Sequence, residues 1–375
     1  MEESQTAETL DDASAQELDP EQESADNRKD EERFRYVHST NFPGLLEALG
    51  GSLVVSTYQA GKLVLFRARE RRVSMLLRTF DKAMGLAVDP GRLAVGTTYQ
   101  IWTLKNSPQV AAKMQPAGHY DGCFLPRTSH VTGNIDCHEI AWAGQDLWVV
   151  NTLFSCLCTL DPNYSFVPRW KPKFVTELAR HDRCHLNGVA VAEGRPKFVT
   201  VFGESNEPEG WRPNKVEGGC VIEVESGETV ARGLSMPHSP RMHDGRLWVL
   251  DSGRGRLATV DPQNGQIETV AELPGYTRGL TFAGRFAFVG LSKIRETAVF
   301  GGVPIAERSE ERKCGVSVVD TESGQVVAFI EFDNGVEEIF DVQILPQVRF
   351  PAVVGFGKKT IHRACVIAPE RPIDE

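Results

Sequence analysis

The sequence predicts an all-β protein with the architecture of a β-propeller. One pattern recurs at spacings of 40 to 60 residues: a variable opening residue, a short apolar stretch, a turn and an apolar strand. The two clearest copies are HEIAWAGQDLW from His138 and HSPRMHDGRLW from His238, each with a Trp ten residues after the His. A solenoid of helix pairs would need long segments of helical period, and no such segment stands out.

Seven copies of the pattern define the predicted blades. They open at Pro43, Met84, His138, Asn187, His238, Arg278 and Glu338. Each copy holds two short apolar runs around a turn, and most are followed by two more, as in LATVDPQNGQIETVAEL at 257–273. Four strands per repeat are typical of a propeller blade. We therefore favour seven blades of four antiparallel strands, with six blades as the alternative.

The two ends of the repeat region decide how the ring closes. FRYVHS at 34–39 resembles a lone strand, and the last copy ends after about three strands, at ACVIAP in 364–369. An N-terminal strand that completed the last blade would remove a free sheet edge, so we predict closure by that strand. In the six-blade alternative PGLLEAL at 43–49 is a helix, because its three Leu residues also fit helical spacing.

Composition separates a tail from a single folded domain. The first 33 residues carry 13 Asp or Glu against 3 Lys or Arg and almost no bulky apolar side chain, which predicts a disordered acidic tail over 1–33. Residues 34–375 then hold 38 acidic and 38 basic residues and are predicted to form one propeller domain. This charge balance argues against nucleic acid as the main partner.

The cysteines and the N-terminus predict a cytoplasmic location. The eight Cys include no CxxC pair, and Met1 is followed by acidic residues rather than by a basic leader. No apolar stretch approaches the length needed to span a membrane, so we expect no membrane partner.

A functional face is predicted at one end of the channel. The innermost strand of each blade begins there, so the opening residues of the copies form a ring around the channel mouth. By antiparallel alternation we expect the long segments 106–137, 163–186, 203–218 and 292–313 on the same face. Long connections on a rigid scaffold are typical of a binding or catalytic face.

The ring offers a candidate metal site. His138, His238 and Glu338 would supply two imidazoles and a carboxylate, with His185 as a third imidazole, a set suited to one divalent ion such as Fe, Zn, Mn or Ca. Asn151 and Asp251 each follow one of the paired His residues by thirteen positions and are candidates to orient the imidazoles. In the alternative interpretation these side chains only cap turns or bind neighbouring backbone.

The same ring offers an anchor for an anionic substrate. Arg278 presents a planar guanidinium that pairs with carboxylate or phosphate groups. Further candidate substrate contacts are polar or aromatic side chains expected on the same face: Asn187, Arg241, Arg295 and Trp211. As alternatives, Arg278 forms a structural salt bridge with Glu338, and Trp211 packs locally.

Four segments carry a resemblance to a known family. STYQAGKL at 56–63, DRCHLNGVAV at 182–191, SMPHSPR at 235–241 and PGYTRGL at 274–280 resemble the signature blocks of an uncharacterised bacterial family of conserved hypothetical proteins. The resemblance spans nearly everything after the tail and implies a propeller, without implying a reaction. Calcium-dependent lactonases place Glu, Asn and Asp in the channel, whereas the predicted ring of this chain is richer in His.

The sequence leaves three functions open. The first is a metal-dependent enzyme that acts on a small polar or anionic substrate at the channel mouth. The second is a non-catalytic scaffold that binds a small molecule, or a protein partner through the long loops. The third is a calcium-dependent, lactonase-like hydrolase. The sequence shows neither a nucleophile elbow nor a phosphate-binding glycine loop, so it suggests no further class of enzyme.

Overall fold

A computed structural model describes residues 33–293, 301–308, 311–355, 361–362 and 364–367. Within these residues, 26 strands form six sheets, which are the blades of a propeller. The acidic tail predicted over 1–33 lies outside the described residues up to position 32, and so does Arg295. None of the helices in the described part has the length and hydrophobicity needed to cross a bilayer.

In each of the first three blades the strands follow one another from the channel outward. Blade 1 consists of β25 (Asp341–Leu345), β2 (Ser52–Thr57), β3 (Lys62–Arg69) and β4 (Arg72–Thr79). Blade 2 consists of β5 (Leu86–Asp89), β6 (Arg92–Gly96), β7 (Gln100–Asn106) and β8 (Gly122–Val131), with β26 (Pro351–Val353) parallel to β8. Blade 3 consists of β9 (Cys137–Ala143), β10 (Asp146–Asn151), β11 (Cys156–Asp161) and β12 (Tyr164–Trp170).

The other three blades follow in chain order. Blade 4 consists of β13 (Gly188–Ala192), β14 (Arg195–Val201), β15 (Gly219–Glu223) and β16 (Thr229–Leu234). Blade 5 consists of β17 (His238–His243), β18 (Arg246–Asp251), β19 (Arg256–Val260) and β20 (Ile267–Glu272). Blade 6 consists of β21 (Tyr276–Ala283), β22 (Phe286–Ser292), β23 (Gly315–Asp320) and β24 (Val326–Phe332), with β1 (Tyr36–His38) outermost.

Short helices lie in the connections. They are α1 (Phe42–Leu49), α2 (Pro108–Lys113) and α3 (Pro304–Glu307), with 3-10 turns at Arg212–Asn214 and Ser252–Arg254. Apolar side chains from neighbouring blades meet in core clusters; Phe66 of blade 1, for example, packs in one cluster with Phe288 of blade 6. The first hairpin of blade 3 turns at Gly144 (φ 64°) and that of blade 5 at Gly245 (φ 73°). Glycine is favoured at such left-handed positions.

The favoured count of seven blades is wrong, and the six-blade alternative is confirmed. The copy that opens at Pro43 begins with α1, which has Pro in its first turn and ends at Gly50 in the left-handed conformation. Phe42 and Leu46 of this helix are fully buried in the core between blades 6 and 1. The remainder of that copy is β2, the second strand of blade 1 rather than an innermost strand.

The ring closes through β25, which the sequence prediction did not anticipate. This strand comes from the C-terminal part of the chain, forms the innermost strand of blade 1 and pairs antiparallel with β2 from Ser52↔Leu345 to Ser56↔Asp341. The predicted N-terminal strand exists as β1, but it pairs with β24 at the outer edge of blade 6. Residues 364–367, expected in a last strand, form none. Every residue of β2 is buried, so β2 needs a neighbour on both sides.

Candidate functional site

Three imidazoles meet at the channel mouth. His138 is the second residue of β9 in blade 3, His238 is the first residue of β17 in blade 5, and His185 lies in the connection into blade 4. The ring centroids of His138 and His185 are 4.7 Å apart, and those of His138 and His238 are 6.3 Å apart with nearly parallel planes. The matched positions of His138 and His238 in the repeat therefore place their rings side by side across one opening.

Hydroxyl groups hold the two repeat imidazoles. The Nδ1 atom of His138 lies 2.9 Å from Thr152 Oγ1, and Nδ1 of His238 lies 3.0 Å from Ser252 Oγ. Nδ1 of His138 is also 3.2 Å from the backbone carbonyl of Asp136, which only accepts, so this nitrogen carries the proton. The Nε2 atom of His138 consequently keeps a lone pair.

The residues predicted to orient these rings bind elsewhere. Asn151 Oδ1 accepts the backbone N–H of Phe154, and Asp251 Oδ1 accepts the backbone N–H of Ser235 while the carboxylate pairs with Arg254 at 3.1 Å. The residue that follows each of them holds the ring instead.

His185 is held by a carboxylate instead of a hydroxyl. Its Nδ1 lies 2.7 Å from Asp182 Oδ2, and its backbone N–H donates to Asp182 Oδ1 at 3.0 Å. Trp211 Nε1 donates to Asp182 Oδ2 at 3.0 Å, and only 2% of Trp211 is exposed. The indole predicted to contact substrate therefore positions Asp182 from within the core.

Burial and a nearby cation keep the two repeat imidazoles neutral. Burial is the main cause that lowers the pKa of His138 well below its ordinary value, and Arg278 adds to it. The pKa of His238 is lowered in the same way, by burial first and then by Arg278. Both rings therefore stay uncharged at neutral pH.

Arg278 brings a guanidinium into the same mouth. Its Cζ lies 3.4 Å from the centroid of the Phe340 ring, and Nη1 lies 3.6 Å from Glu338 Oε1. Nη2 is buried and has no hydrogen-bond partner among the described residues, although the residue is only 8% exposed. Burial raises the pKa of Glu338, and Arg278 opposes that shift. The predicted pairing with Glu338 thus occupies only part of the guanidinium.

A charged cluster lies next along the innermost strands. Arg241 of blade 5 contacts the carboxylate of Glu139 in blade 3, and its Nη2 lies 3.9 Å from Asp341 Oδ1 in blade 1. Arg241 Nε also donates to the carbonyl of Leu280 at 2.9 Å. Arg241, predicted to contact substrate, is therefore engaged by protein groups from alternating blades; we call these three charged residues the channel clamp.

Comparison with known proteins adds a family to this geometry. A family model described as "Domain of unknown function (DUF4915)" matches residues 40–354. The chain belongs to the DUF4915 family. This match supports the resemblance to an uncharacterised family. A search of curated proteins found no match for this DUF4915 chain.

Solved structures confirm the propeller fold of the DUF4915 chain. It is similar to a chain in the crystal structure of a nidogen/laminin complex, with a TM-score of 0.52, 12% identity and coverage of 79% of this chain and 98% of that one. It is also similar to a protein of unknown function from Bacteroides caccae, with a TM-score of 0.50, 11% identity and the same coverage of both chains. At these identities the likeness concerns the fold.

The predicted metal ligands come together only in part. The structure joins the three imidazoles, while it places the Glu338 carboxylate beside Arg278. Within the ranges that the structure describes, no group of three or more His, Cys, Asp or Glu side chains could hold a metal ion.

The remaining predicted residues and segments lie partly at the channel mouth and partly elsewhere. Asn187 Nδ2 donates to the carbonyl of His185, and its Oδ1 accepts from Thr200, so this amide shapes the loop. Of the long segments, residues 107–121 connect β7 to β8, the third and fourth strands of blade 2, and therefore lie on the opposite face. Residues 132–136, which connect β8 to β9, do reach the mouth.

Sequence reasoning missed several residues of the DUF4915 site. Thr152 and Ser252 follow the paired His residues by fourteen positions, and the matching hydroxyls in both copies were the available signal. Asp182 lies within the segment 163–186 expected at the mouth, and its spacing to His185 was the signal. The sequence carried no signal for Phe340, because the position of this residue depends on how β25 joins blade 1. Tyr58, in the STYQAGKL segment, stacks on Phe340 at 5.5 Å.

Proposed function

We propose that the channel mouth binds a small ligand through a carboxylate or phosphate group, and that Arg278 holds this group. The supporting observation is the buried Nη2 of Arg278, which has no hydrogen-bond partner in the described residues. A buried donor without an acceptor costs roughly 1–3 kcal/mol. An anionic ligand removes this cost and forms a charge-assisted hydrogen bond.

The surroundings of Arg278 favour a ligand that is polar as well as anionic. The pKa values of His138 and His238 are lowered, so these neutral rings add hydrogen-bonding atoms without a competing charge. The Glu338 side chain is 28% exposed, and its carboxyl group lies beside the guanidinium, with Oε1 3.6 Å from Nη1 of Arg278. A hydroxyl or amino group next to the carboxylate or phosphate of the ligand would satisfy it.

Removal of the guanidinium is expected to abolish anion binding. Inorganic phosphate, acetate and lactate serve as probes, and the melting temperature of the wild-type protein is expected to rise with at least one of them. At one hundred times the dissociation constant, a ligand stabilises the folded state by about 2.7 kcal/mol. Arg278→Gln is expected to lose this response, whereas Arg278→Lys retains part of it as a single point charge.

A matched control is available in the same blade. The Arg285 side chain is 52% exposed and pairs with Asp320 and Glu322 in the hairpin turns of blade 6. Arg285→Gln removes an equal charge and is expected to leave the response to the probes unchanged. An identical response in Arg278→Gln and wild type would contradict the proposal.

Metal-dependent catalysis is a second candidate, favoured by the way protein oxygens hold Nδ1 of all three imidazoles. Against it, the described residues contain no group of three or more side chains arranged to hold a metal ion, and Arg278 would repel a cation at the same mouth. Metal analysis by mass spectrometry of anaerobically purified protein decides between the two. A near-stoichiometric metal that is lost in the His138→Ala/His238→Ala variant would establish the metal site. A metal-free wild-type protein that still binds a probe would leave anion binding as the remaining candidate function.

A further inference from the structure

We infer that His185 is a general base that acts on the anion bound at Arg278, so this inference rests on the proposed function. Its Nε2 removes a proton from an O–H bond of the ligand or of a water molecule beside it. Asp182 balances the charge of the imidazolium that forms. The site would then either deprotonate a hydroxyl group of an anionic substrate or activate a water molecule that hydrolyses this substrate.

The contact between His185 and Asp182 defines the reactive nitrogen. The 2.7 Å distance from Nδ1 to Asp182 Oδ2 is that of a charge-assisted hydrogen bond. A carboxylate accepts here, so Nδ1 carries a proton, and in the neutral ring Nε2 is the nitrogen with the lone pair. This is the arrangement by which a carboxylate fixes the tautomer and the orientation of a catalytic imidazole.

The surrounding core holds this pair in one geometry. The His185 ring stacks on Phe202 at 4.3 Å and packs against Trp211 at 4.6 Å, while Trp211 also donates to the Asp182 carboxylate. Asp182 (φ 44°) and His185 (φ 49°) both adopt left-handed backbone conformations. Backbone strain of this kind is concentrated at functional sites.

The other two imidazoles have no carboxylate within hydrogen-bond distance among the described residues; Asp136 Oδ1 lies 3.6 Å from Nδ1 of His138. Those of His138 and His238 are held by hydroxyl groups, which do not balance a positive charge. Among the three, His185 is the ring with a carboxylate oxygen within 3 Å in the part of the chain that the structure describes.

A short chain of ring contacts links His185 to Arg278. The His185 ring contacts His138 at 4.7 Å, His138 contacts Phe340 at 5.4 Å, and the Arg278 guanidinium lies over the same Phe340 ring. Only these two rings separate the base from the anion anchor. The His185 side chain is 14% exposed, so a small molecule can reach it.

The proposed step is a single proton transfer. The O–H bond of the substrate or water breaks, and its electron pair stays on the oxygen. The proton forms a new bond with Nε2, and the imidazolium is paired with the Asp182 carboxylate. In the reverse step Nε2–H returns the proton to the product or to solvent, so the balance needs no further reactant.

Diethyl pyrocarbonate tests this assignment because it reacts with the lone pair of a neutral imidazole. Peptide mass spectrometry is expected to find carbethoxylation at His185 in the wild-type protein, slowed by inorganic phosphate. Asp182→Asn is expected to lower the rate at His185 at least tenfold, because an amide that donates to Nδ1 moves the ring proton to Nε2. A rate at His185 that is unchanged in this variant would overturn the inference.

Two further variants separate this result from simple loss of structure. Asp136→Asn removes a carboxylate 3.6 Å from His138 and should change the rate at His185 less than twofold. Trp211→Phe keeps an aromatic ring and removes one hydrogen bond to Asp182, so a smaller decrease is expected. If Asp182→Asn does not fold, an unchanged rate in Trp211→Phe overturns the inference.

Failure of the proposed function gives a different pattern. Suppose that phosphate, acetate and lactate all fail to protect His185 and to raise the melting temperature of the wild type. Anion binding at Arg278 is then overturned, and the proposed base has no anionic substrate at this site. If phosphate slows carbethoxylation of His185 but the rate at His185 is unchanged in Asp182→Asn, the anion site is retained and the assignment of His185 as a general base is overturned.

Discussion

A protein truncated after residue 337 is expected to lose its cooperative fold. The truncation removes β25, the innermost strand of blade 1, which pairs with β2 along all five of its residues. It also removes the buried Val342 and Leu345 and exposes the backbone edge of β2 to the channel. Circular dichroism during thermal unfolding is expected to show no sharp transition, because blade 1 without its innermost strand no longer closes the ring of blades.

Truncation after residue 355 is the matched control. It retains β25 and β26 and removes only the segment that follows them. We expect a melting temperature close to that of the full chain. A cooperative transition at the wild-type temperature after truncation at 337 would contradict the role of β25 in closing the ring.

The architecture of the blades was predictable, and the closure of the ring was not. The paired copies at His138 and His238 share one register, and short-range apolar patterns identify their strands. The segment 43–49 is too short for periodicity to separate helix from strand, so the copy that opens at Pro43 was counted as a blade. Its neighbour β2 pairs with residues almost three hundred positions away in the chain, and no local pattern reports such a contact.

The site shows the same division. The openings of the copies predicted His138, His238, Arg278 and Glu338 at one mouth, because register places equivalent residues at equivalent heights in the blades. Irregular pairing limited the rest: the register shifts between His238 and Arg241 and between Thr277 and Leu280. Such bulges re-aim side chains, and they are frequent next to functional sites.

The channel clamp supports the second large prediction, a strong and pH-dependent loss of stability in Arg241→Leu. One guanidinium faces the buried carboxylates of Glu139 and Asp341. Burial is the main cause that raises the pKa of Glu139 to about 8, with Asp341 adding to it, while Arg241 opposes the shift. At pH 8.5, above the pKa of Glu139, the ion pair with Arg241 is formed, and removal of one partner of a buried ion pair costs about 3–5 kcal/mol. Urea unfolding at pH 6 and at pH 8.5 measures the free energy of unfolding.

The sign of the pH effect follows from the raised pKa of Glu139. Below the unfolded value of 4.5 the carboxyl is protonated in both states, and its full contribution to stability is present. Between that value and about 8 the unfolded chain binds fewer protons, so stability falls as the pH rises, at up to about 1.4 kcal/mol per pH unit. Without Arg241 the Glu139 pKa rises further, so the penalty of Arg241→Leu is expected to be larger at pH 8.5.

A double-mutant cycle separates the charge of Glu139 from the packing of Arg241. Glu139→Gln keeps the shape of the side chain and removes its titration, so it is expected to flatten the fall in stability between pH 6 and pH 8.5. In the Arg241→Leu/Glu139→Gln variant the two effects should not add, because the uncompensated carboxylate is gone. Equal penalties for Arg241→Leu at both pH values, or full additivity in the cycle, would show that the clamp acts through packing alone. A positive coupling at pH 8.5 would instead identify Arg241 as the counter-charge that lets two carboxylates occupy one closed channel.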